Sequence, residues 1–199
     1  MKFLAFADTH LNEKAVKKII QKSKNVDFLI CAGDVSWMGQ GLKEILKDLS
    51  KNIKKEIYII HGNHESPSEI KNSIKGLKNI HFMHKKILQI ANYQIFFWGG
   101  GGFNLRDKKF EEATKRFQAQ LNQDEEVILV THGPPYNTDL DELEWAGHVG
   151  SKSIREFIKK IKPLIHICGH LHENTGKQQV LFKRTLIINP EENGNIIEA

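Results

Sequence analysis

The chain has few cysteines and no long apolar run. Its 199 residues include two cysteines, Cys31 and Cys168, and neither belongs to a C-x-x-C pair, which excludes a disulfide scaffold and a zinc–thiolate site. Both lie in apolar segments, so we expect buried, reduced thiols. No apolar run approaches the roughly eighteen residues of a membrane span, and Asp8 comes too early for a signal peptide. The sequence predicts a soluble, cytoplasmic protein with no membrane partner.

Strong charge of one sign and linker-like segments are also missing. The net charge is +5, with 29 Lys and Arg against 24 Asp and Glu. Much of the excess is lysine on a predicted helix face, including Lys14, Lys17 and Lys18, without the interleaved aromatic residues of single-strand binding platforms. Nucleic acid is therefore an unsupported partner. With 40% hydrophobic residues, no repeat and no Pro/Gly-rich linker, residues 1–199 are predicted to form a single domain.

Buried strands alternate with amphipathic helices in the first third of the chain. Segments 3–7, 28–32 and 57–61 predict buried strands, and 13–23 and 41–50 have the apolar spacing of helices. This β-α-β-α-β order predicts a largely parallel α/β core.

Later segments predict further strands and two further helices, which indicates a mixed sheet or two sheets. One helix is expected near 108–121, and another begins where Ser153 and Glu156 form a capping-box pattern. The tail is expected to close the sheet with antiparallel strands. The strands lie near 79–83, 87–91, 94–98, 127–131, 164–168, 180–182, 185–188 and 195–197.

Five predicted strands each end on potential metal ligands. In open α/β sheets, sites form at the carboxyl ends of strands, so these five segments are expected to converge on one edge. The ligand atoms are oxygen and nitrogen without sulfur, which suits Mn²⁺, Fe, Ni²⁺, Co²⁺ or Zn²⁺. In chain order the segments are Asp8-Thr9-His10, Gly33-Asp34, Gly62-Asn63-His64-Glu65, His132-Gly133 and Gly169-His170-Leu171-His172.

The set is larger than one tetrahedral ion requires. A single histidine at a strand end is more often structural than a ligand, but five such motifs in series make coincidence improbable. Two divalent ions sharing a carboxylate would use nearly all of these residues. Asp8 and Asp34 would neutralise only half of the ions' charge, so the site would attract phosphate, polarise its P–O bonds and lower the pKa of a bridging water.

In this order, the motifs resemble those of the calcineurin-like metallophosphoesterases. The stretches His132–Pro135, His148–Ser151 and Gly169–Glu173 are similar to those of the small single-domain phosphodiesterases, which include archaeal members and animal metallophosphoesterase-domain-containing proteins. The resemblance implies a four-layer αββα sandwich, in which helices flank two mixed sheets and a dinuclear metal site lies at one edge.

The resemblance also implies residue roles. His64 would not bind metal but would stabilise the phosphoryl transition state or protonate the leaving oxygen. Glu65, where the family usually has Asp, would orient His64. The implied ligands are Asp8, His10 and His172 for the first metal, Asn63, His132 and His170 for the second, and Asp34 for both.

Residues outside these motifs suggest a substrate side. His148 precedes a predicted helix N-terminus that could bind an anion, and it is a candidate substrate residue together with Asn63. Tyr136, Trp145 and Phe103 are candidates for an apolar wall that contacts a base or aryl group, although core packing is the default for the last two.

Other polar and glycine-rich segments have simpler interpretations. The glycines at 99–102 match no known phosphate loop and predict a turn. The acidic residues of segment 139–144 predict a solvated loop. Structural or surface positions are expected for His61, His81, His84 and His166.

The sequence thus predicts a metal-dependent phosphoesterase with two divalent ions per chain, of which Mn²⁺ is favoured. Attack by a metal-bridging hydroxide is the expected chemistry, and the expected substrates are small phosphodiesters or nucleotides. The alternatives are a metal-dependent nuclease, a phosphomonoesterase and, least favoured, a non-catalytic metal-binding module. The sequence does not determine the oligomeric state.

Overall fold

A computed structural model describes residues 1–122 and 124–199 and contains five α-helices and thirteen β-strands. The helices are α1 (Glu13–Lys22), α2 (Leu42–Asn52), α3 (Pro67–Ser73), α4 (Lys108–Gln120) and α5 (Lys152–Ile161). The strands are β1 (Lys2–Phe6), β2 (Phe28–Cys31), β3 (Ile57–Ile59), β4 (Ile80–Phe82), β5 (Lys86–Ile90), β6 (Tyr93–Trp98), β7 (Glu126–Thr131), β8 (Glu142–Leu143), β9 (Gly147–His148), β10 (Ile165–Ile167), β11 (Gln178–Leu181), β12 (Thr185–Ile188) and β13 (Asn195–Glu198).

The strands form two large sheets, both mixed. The first has the order β13-β1-β2-β3-β4, and only β13 runs antiparallel to its neighbour. The second has the order β11-β12-β10-β7-β6-β5, with a parallel centre and antiparallel strands at both edges. The tail is therefore less uniform than predicted, because β12 pairs in parallel with β10 and β13 joins the other sheet. A separate hairpin joins β8 and β9.

The alternation of side chains along each strand builds four layers. Along β1, Phe3 and Ala5 face the second sheet, whereas Leu4 and Phe6 face the helices. Residues of α1, α2 and α3 cover the outer face of the first sheet, and residues of α4 and α5 cover the outer face of the second. The predicted four-layer αββα sandwich is confirmed.

Helix caps show where sequence patterns succeeded and where they misled. Asn12 directly precedes the predicted helix 13–23 and caps α1 by accepting from the amides of Lys14 and Ala15. The capping box predicted at Ser153 and Glu156 is wrong, because Ser151 caps α5 by accepting from the amide of Ile154.

The two misassigned residues have other partners. The Ser153 hydroxyl donates to Glu111 at 2.6 Å, and Glu156 forms a bidentate pair with Arg106 at 2.7 Å. The sequence interpretation also omitted α3, whose capping box pairs Ser66 with Glu69.

The structure also bears on the cysteines and on the question of membrane-spanning helices. Cys31 and Cys168 are both free and buried, as expected. Within the described residues, no helix has both the length and the apolar character needed to cross a bilayer. The parallel centres of both sheets direct their strand ends to one edge, where the predicted ligands lie.

Candidate metal centre

The predicted ligands come from strand ends of both sheets. Segments after β1, β2 and β3 of the first sheet supply Asp8, His10, Asp34 and Asn63, and segments after β7 and β10 of the second supply the remaining histidines. Three sets of ligand atoms lie within 4.8 Å of one another. They are Asp34 with His132 and His170, which we call the deep group; Asp8 with His10 and His172, the shallow group; and His10 with Asp34 and His64, which connects the two.

The deep group is buried and tightly bonded. His132 is 0% exposed, and its Nδ1 lies 2.9 Å from the carbonyl oxygen of Ala32. A carbonyl only accepts, so Nδ1 carries the proton and Nε2 faces the centre. That Nε2 lies 3.2 Å from Asp34 Oδ2 and 2.9 Å from the Asn63 amide oxygen. His170 Nε2 is buried without a hydrogen-bond partner among the described residues.

The shallow group has the same design at the surface. His10 Nδ1 lies 3.1 Å from the carbonyl oxygen of Ser36, which again leaves Nε2 facing inward. This Nε2 is 3.0 Å from His172 Nε2, which in turn lies 4.0 Å from Asp8 Oδ1. The His172 side chain is 50% exposed, whereas Asp8 Oδ1 is buried and unpartnered within the described part of the chain.

These arrangements fit divalent metal ions. Atoms about 3 Å apart can both lie about 2.1 Å from one ion, as metal–nitrogen bonds require. Unpartnered buried atoms such as Asp8 Oδ1 and His170 Nε2 are costly unless something binds them. The chemistry of the donor set and its orphaned atoms thus both indicate cations.

Charges within the deep group compensate one another. Burial tends to raise the pKa of Asp34, but the hydrogen bond and charge of His132 and the amide of His64 lower it to about 2. Burial likewise opposes protonation of His132, yet Asp34 and Asp8 raise its pKa to about 9. A divalent ion must therefore displace a proton from His132 when it binds.

The backbone at the ligands is unusual. Positive φ angles occur at Asp8 (53°), His10 (40°), Asp34 (53°) and His170 (75°). Each such residue costs of order 1–3 kcal/mol and persists only where its surroundings enforce it. Four of the predicted ligands therefore have a strained backbone that their surroundings must hold in place.

Two glycines permit the close approach of backbone to carboxylate. A Cβ atom on Gly62 would lie 2.0 Å from Asp34 Oδ1, and one on Gly169 would lie 2.5 Å from Asp8 Oδ2. Because each carboxylate lies this close to the backbone, amides of the same segments bind it. His64 N donates to Asp34 Oδ1 at 2.9 Å, and His170 N donates to Asp8 Oδ2 at 2.8 Å. The glycines of the motifs thus fix both carboxylates.

The structure places His64 at the centre but gives Glu65 a different task from the predicted one. His64 Nε2 lies 3.9 Å from Asp34 Oδ2, and its Nδ1 has no partner among the described residues. The predicted hydrogen bond from Glu65 to His64 is wrong. The carboxylate of Glu65 instead lies among buried backbone amide donors.

Most contacts of Glu65 are with the loop that carries Asp34. Its carboxylate accepts from the amides of Asp34 at 3.2 Å, Ser36 at 2.8 Å and Gly62 at 3.4 Å, and from the Ser36 hydroxyl at 2.9 Å. Glu65 therefore positions Asp34. Local sequence does not indicate the contacts with Asp34 and Ser36, because these residues lie about thirty positions earlier in the chain.

The predicted substrate residues separate. Asn63 lines a cavity of about 320 Å³ beside the centre, whereas His148 is not among the residues lining it. His148 Nδ1 instead bonds to Asp141 at 2.9 Å. The prediction that Asp141 belongs to a solvated loop is wrong, since it is 0% exposed and organises that loop by accepting from the amides of Thr138 and Gly150.

Aromatic residues lie around this cavity. Phe103 and Trp145 line it, as the predicted wall requires, but Tyr136 packs against His148 instead. Trp37, which the sequence interpretation did not consider, stacks on His10 with ring centroids 3.8 Å apart. Its position directly after the Asp34 loop was the available sequence signal.

The remaining glycines and histidines have structural contacts. Gly100 donates to the carbonyl of His61 at 2.8 Å, and a Cβ atom on Gly99 would clash with the same residue, so this segment is an irregular loop packed against His61 and not the predicted turn. His84 Nδ1 accepts from the amide of Gly99. His81 contacts Glu56, and His166 contacts Thr131.

Comparisons with known proteins agree with this geometry. The sequence profile of the calcineurin-like phosphoesterase family matches residues 1–174. An uncharacterized protein of Methanocaldococcus jannaschii is 30% identical over 200 residues, which covers 96% of this chain and 88% of that protein.

Two further relatives carry functional names. A probable glycerophosphodiester phosphodiesterase of Arcobacter nitrofigilis is 23% identical, over 73% of this chain and 56% of that protein. A dimetal phosphatase from Danio rerio superposes with a TM-score of 0.68 at 12% identity, covering 97% of this chain and 88% of that one. The structural likeness shows a metallo-dependent phosphatase fold.

Proposed function

This chain belongs to the calcineurin-like phosphoesterase family, and on that premise we propose that it is a phosphodiesterase that hydrolyses small phosphodiesters or nucleotides. Membership makes it a metal-dependent phosphoesterase of a dinuclear family. The observation that carries the proposal is the placement of Asp34, which lies in the deep group and also beside His10 and His64.

We assign seven residues to two divalent ions. Bound ions supply positive charge that polarises the P–O bonds and lowers the pKa of a coordinated water. We favour Mn²⁺, since carboxylate and carbonyl oxygens suit this ion, although the imidazole ligands also suit Fe, Ni²⁺, Co²⁺ or Zn²⁺. The proposed ligands are Asp8, His10 and His172 at the shallow group, Asn63, His132 and His170 at the deep group, and Asp34 between them.

The chain's own residues hold these groups in place before substrate arrives. Backbone carbonyls of Ala32 and Ser36 fix the His132 and His10 imidazoles with Nε2 inward. Amides fix both carboxylates, and Glu65 holds the loop of Asp34. Such preorganisation lowers the reorganisation needed in the transition state.

His64 is the proposed proton donor to the leaving oxygen. The hydrogen bond from its backbone N–H to the Asp34 carboxylate fixes the His64 backbone, while its partly exposed ring faces the cavity. Each proposed ion already has at least three protein ligands without it. Proton transfer from Nε2 would neutralise the departing alkoxide.

The lining of the cavity favours diesters over monoesters. Near neutral pH a phosphodiester carries one negative charge, and a monoester carries close to two. Among the described residues that line the cavity there is no lysine or arginine, and Glu173 adds an acid. The second charge of a monoester would therefore lack a partner beyond the ions. The name of the Arcobacter relative points to the same class of substrate.

The test begins with metal-free protein loaded with Mn²⁺. We expect two ions per chain and faster turnover of bis-p-nitrophenyl phosphate than of p-nitrophenyl phosphate. His64→Ala should lower kcat for the diester by about 10²- to 10⁴-fold while both ions stay bound, as measured by elemental analysis.

His81→Ala is the matched control, because the His81 side chain bonds to Glu56 and stacks on Tyr58, away from the centre. It should leave turnover unchanged. Faster hydrolysis of the monoester would replace the proposal with a phosphomonoesterase. Two bound ions without turnover of either ester would reject hydrolysis of these esters altogether.

A further inference from the structure

Trp37 presents a flat surface beside the metal centre. Its indole lies against His10 with centroids 3.8 Å apart and planes 20° apart, and His64 meets it edge-on at 4.8 Å. The residue is still 48% exposed. His10 covers one face of the indole, and His64, whose ring centroid lies 5.0 Å from that of His10, sits beside the stack, so neither histidine covers the opposite face.

A second aromatic surface lies at the other group. Phe103 packs edge-to-face on His170 at 4.9 Å and remains 61% exposed, and Trp145 is 76% exposed. Both line the cavity next to the centre. Aromatic surface therefore contacts a ligand histidine of the shallow group and one of the deep group.

The fold gains little from exposing these rings. Single exposed apolar residues are ordinary, but a concentration of large ones around a polar site indicates a ligand-binding surface. Met38, adjacent to Trp37, is 70% exposed as well. Burying these side chains in the core would stabilise the protein more, so their position is better explained by what approaches the centre.

We propose that the site selects phosphodiesters that carry a flat aromatic group, a nucleobase or an aryl ring, which stacks on the open face of Trp37. This inference rests on the proposed function and names its substrate class. Phe103 and Trp145 contact the second ester substituent. Trp37 is thus a specificity-determining residue.

The geometry favours a flat ring over an alkyl chain. His10 stacks on one face of the indole and His64 meets it edge-on, so Trp37 offers a rigid plane at low entropic cost. Stacking on such a plane requires a π-face, which every base and aryl group has. An alkyl chain would contact the plane along only a narrow strip.

The test measures binding apart from turnover. Phenylphosphonate and methylphosphonate bear the same charged group on a C–P bond that is not an ester, so calorimetry with Mn²⁺-loaded protein reports affinity alone. We expect phenylphosphonate to bind about tenfold more tightly and to quench tryptophan fluorescence. Trp37→Ala should abolish this preference, and Trp37→Phe should retain most of it.

Controls separate stacking from structure. Ile87→Ala removes an exposed apolar side chain from the edge strand β5 and should change neither affinity. Elemental analysis must find two Mn²⁺ per chain in Trp37→Ala, because Trp37 touches His10. With both ions bound, equal weakening of both phosphonates in that variant would overturn the inference, since Trp37 would then contribute nothing to the preference for a phenyl group.

A third ligand tests the chemistry of the contact. If hexylphosphonate gains as much affinity as phenylphosphonate, recognition is apolar and not aromatic, and the inference is wrong. Hydrolysis of diesters without a phenyl preference would reject the stacking site and leave the proposed function standing. A phenyl preference without hydrolysis would do the reverse.

Discussion

The deep and shallow groups use the same ligand chemistry in opposite surroundings. Each has one carboxylate and two histidines, and the Nδ1 atom of one of these histidines donates to a backbone carbonyl. His132 of the deep group has no exposed surface, whereas half of the His172 side chain in the shallow group is exposed. In the deep group the ligands also bond to one another, whereas the closest atoms of the shallow group are two imidazole nitrogens.

Because of this difference, we expect the two groups to contribute differently to the stability of the fold and to metal binding. The deep group is an ion pair with hydrogen bonds even without metal, so it contributes to the folded state and its metal must compete with a proton. The closest ligand atoms of the shallow group are two imidazole nitrogens, so its own contacts contribute little to the stability of the folded state. We expect substitutions in the deep group to affect folding and metal, and those in the shallow group to affect metal alone.

The largest effect should come from Asp34→Asn, which removes the carboxylate that both groups approach. We expect both ions to bind weakly and kcat/KM for a diester to fall by roughly 10³-fold or more. Elemental analysis and steady-state kinetics measure the two effects. Asp139→Asn, on an exposed loop, is the control with the same charge change. Full occupancy with unchanged turnover in Asp34→Asn would show that the groups do not share this residue.

A paired comparison of His132→Ala with His172→Ala should separate the groups directly. His132→Ala leaves the Asp34 carboxylate buried without its partner, so it should lower the free energy of unfolding of the metal-free protein by about 3–5 kcal/mol. His172→Ala should change it by less than about 0.5 kcal/mol. Chemical denaturation monitored by circular dichroism measures both. Equal losses would contradict the division into deep and shallow.

A smaller effect is expected from Glu65→Gln. The Glu65 carboxylate accepts hydrogen bonds from the backbone amides of Asp34 and Ser36. The side-chain NH₂ of Gln is a donor, so it would face another donor there. We expect Mn²⁺ affinity at the deep group to fall about 10- to 100-fold, as for other residues that orient ligands. Calorimetric titration measures it, and Glu44→Gln on the exposed face of α2 is the control. Unaltered affinity would mean that Asp34 needs no such support.

Residues directly following buried strands were the predictable part of the site. The apolar strands, the α/β order and the motifs at strand ends required only local sequence, because parallel strands bring their carboxyl ends to one edge. The structure brings together all the predicted histidine and aspartate ligands, with Asn63 beside His132. Their role as ligands stays a prediction.

The side chains that local sequence could not place depend on contacts between distant loops. Glu65 and Asp141 carry the same charge as surface acids, and only the three-dimensional arrangement surrounds each with buried amides. The positive φ angles of Asp34 and His170 are enforced by neighbours from other strands, and propensity does not report them. Trp37 was missed because its significance comes from His10, which lies on a different loop.

The bond from His132 to Ala32 joins the end of β7 in one sheet to the end of β2 in the other, across 100 positions of sequence. The metal centre can therefore assemble only after both halves of the chain have folded and docked. Long-range contacts of this kind form late in folding, because closing the long intervening segment costs conformational entropy before the contact can stabilise the structure. A bound ion therefore links the two sheets in the folded protein. It should slow unfolding without accelerating folding.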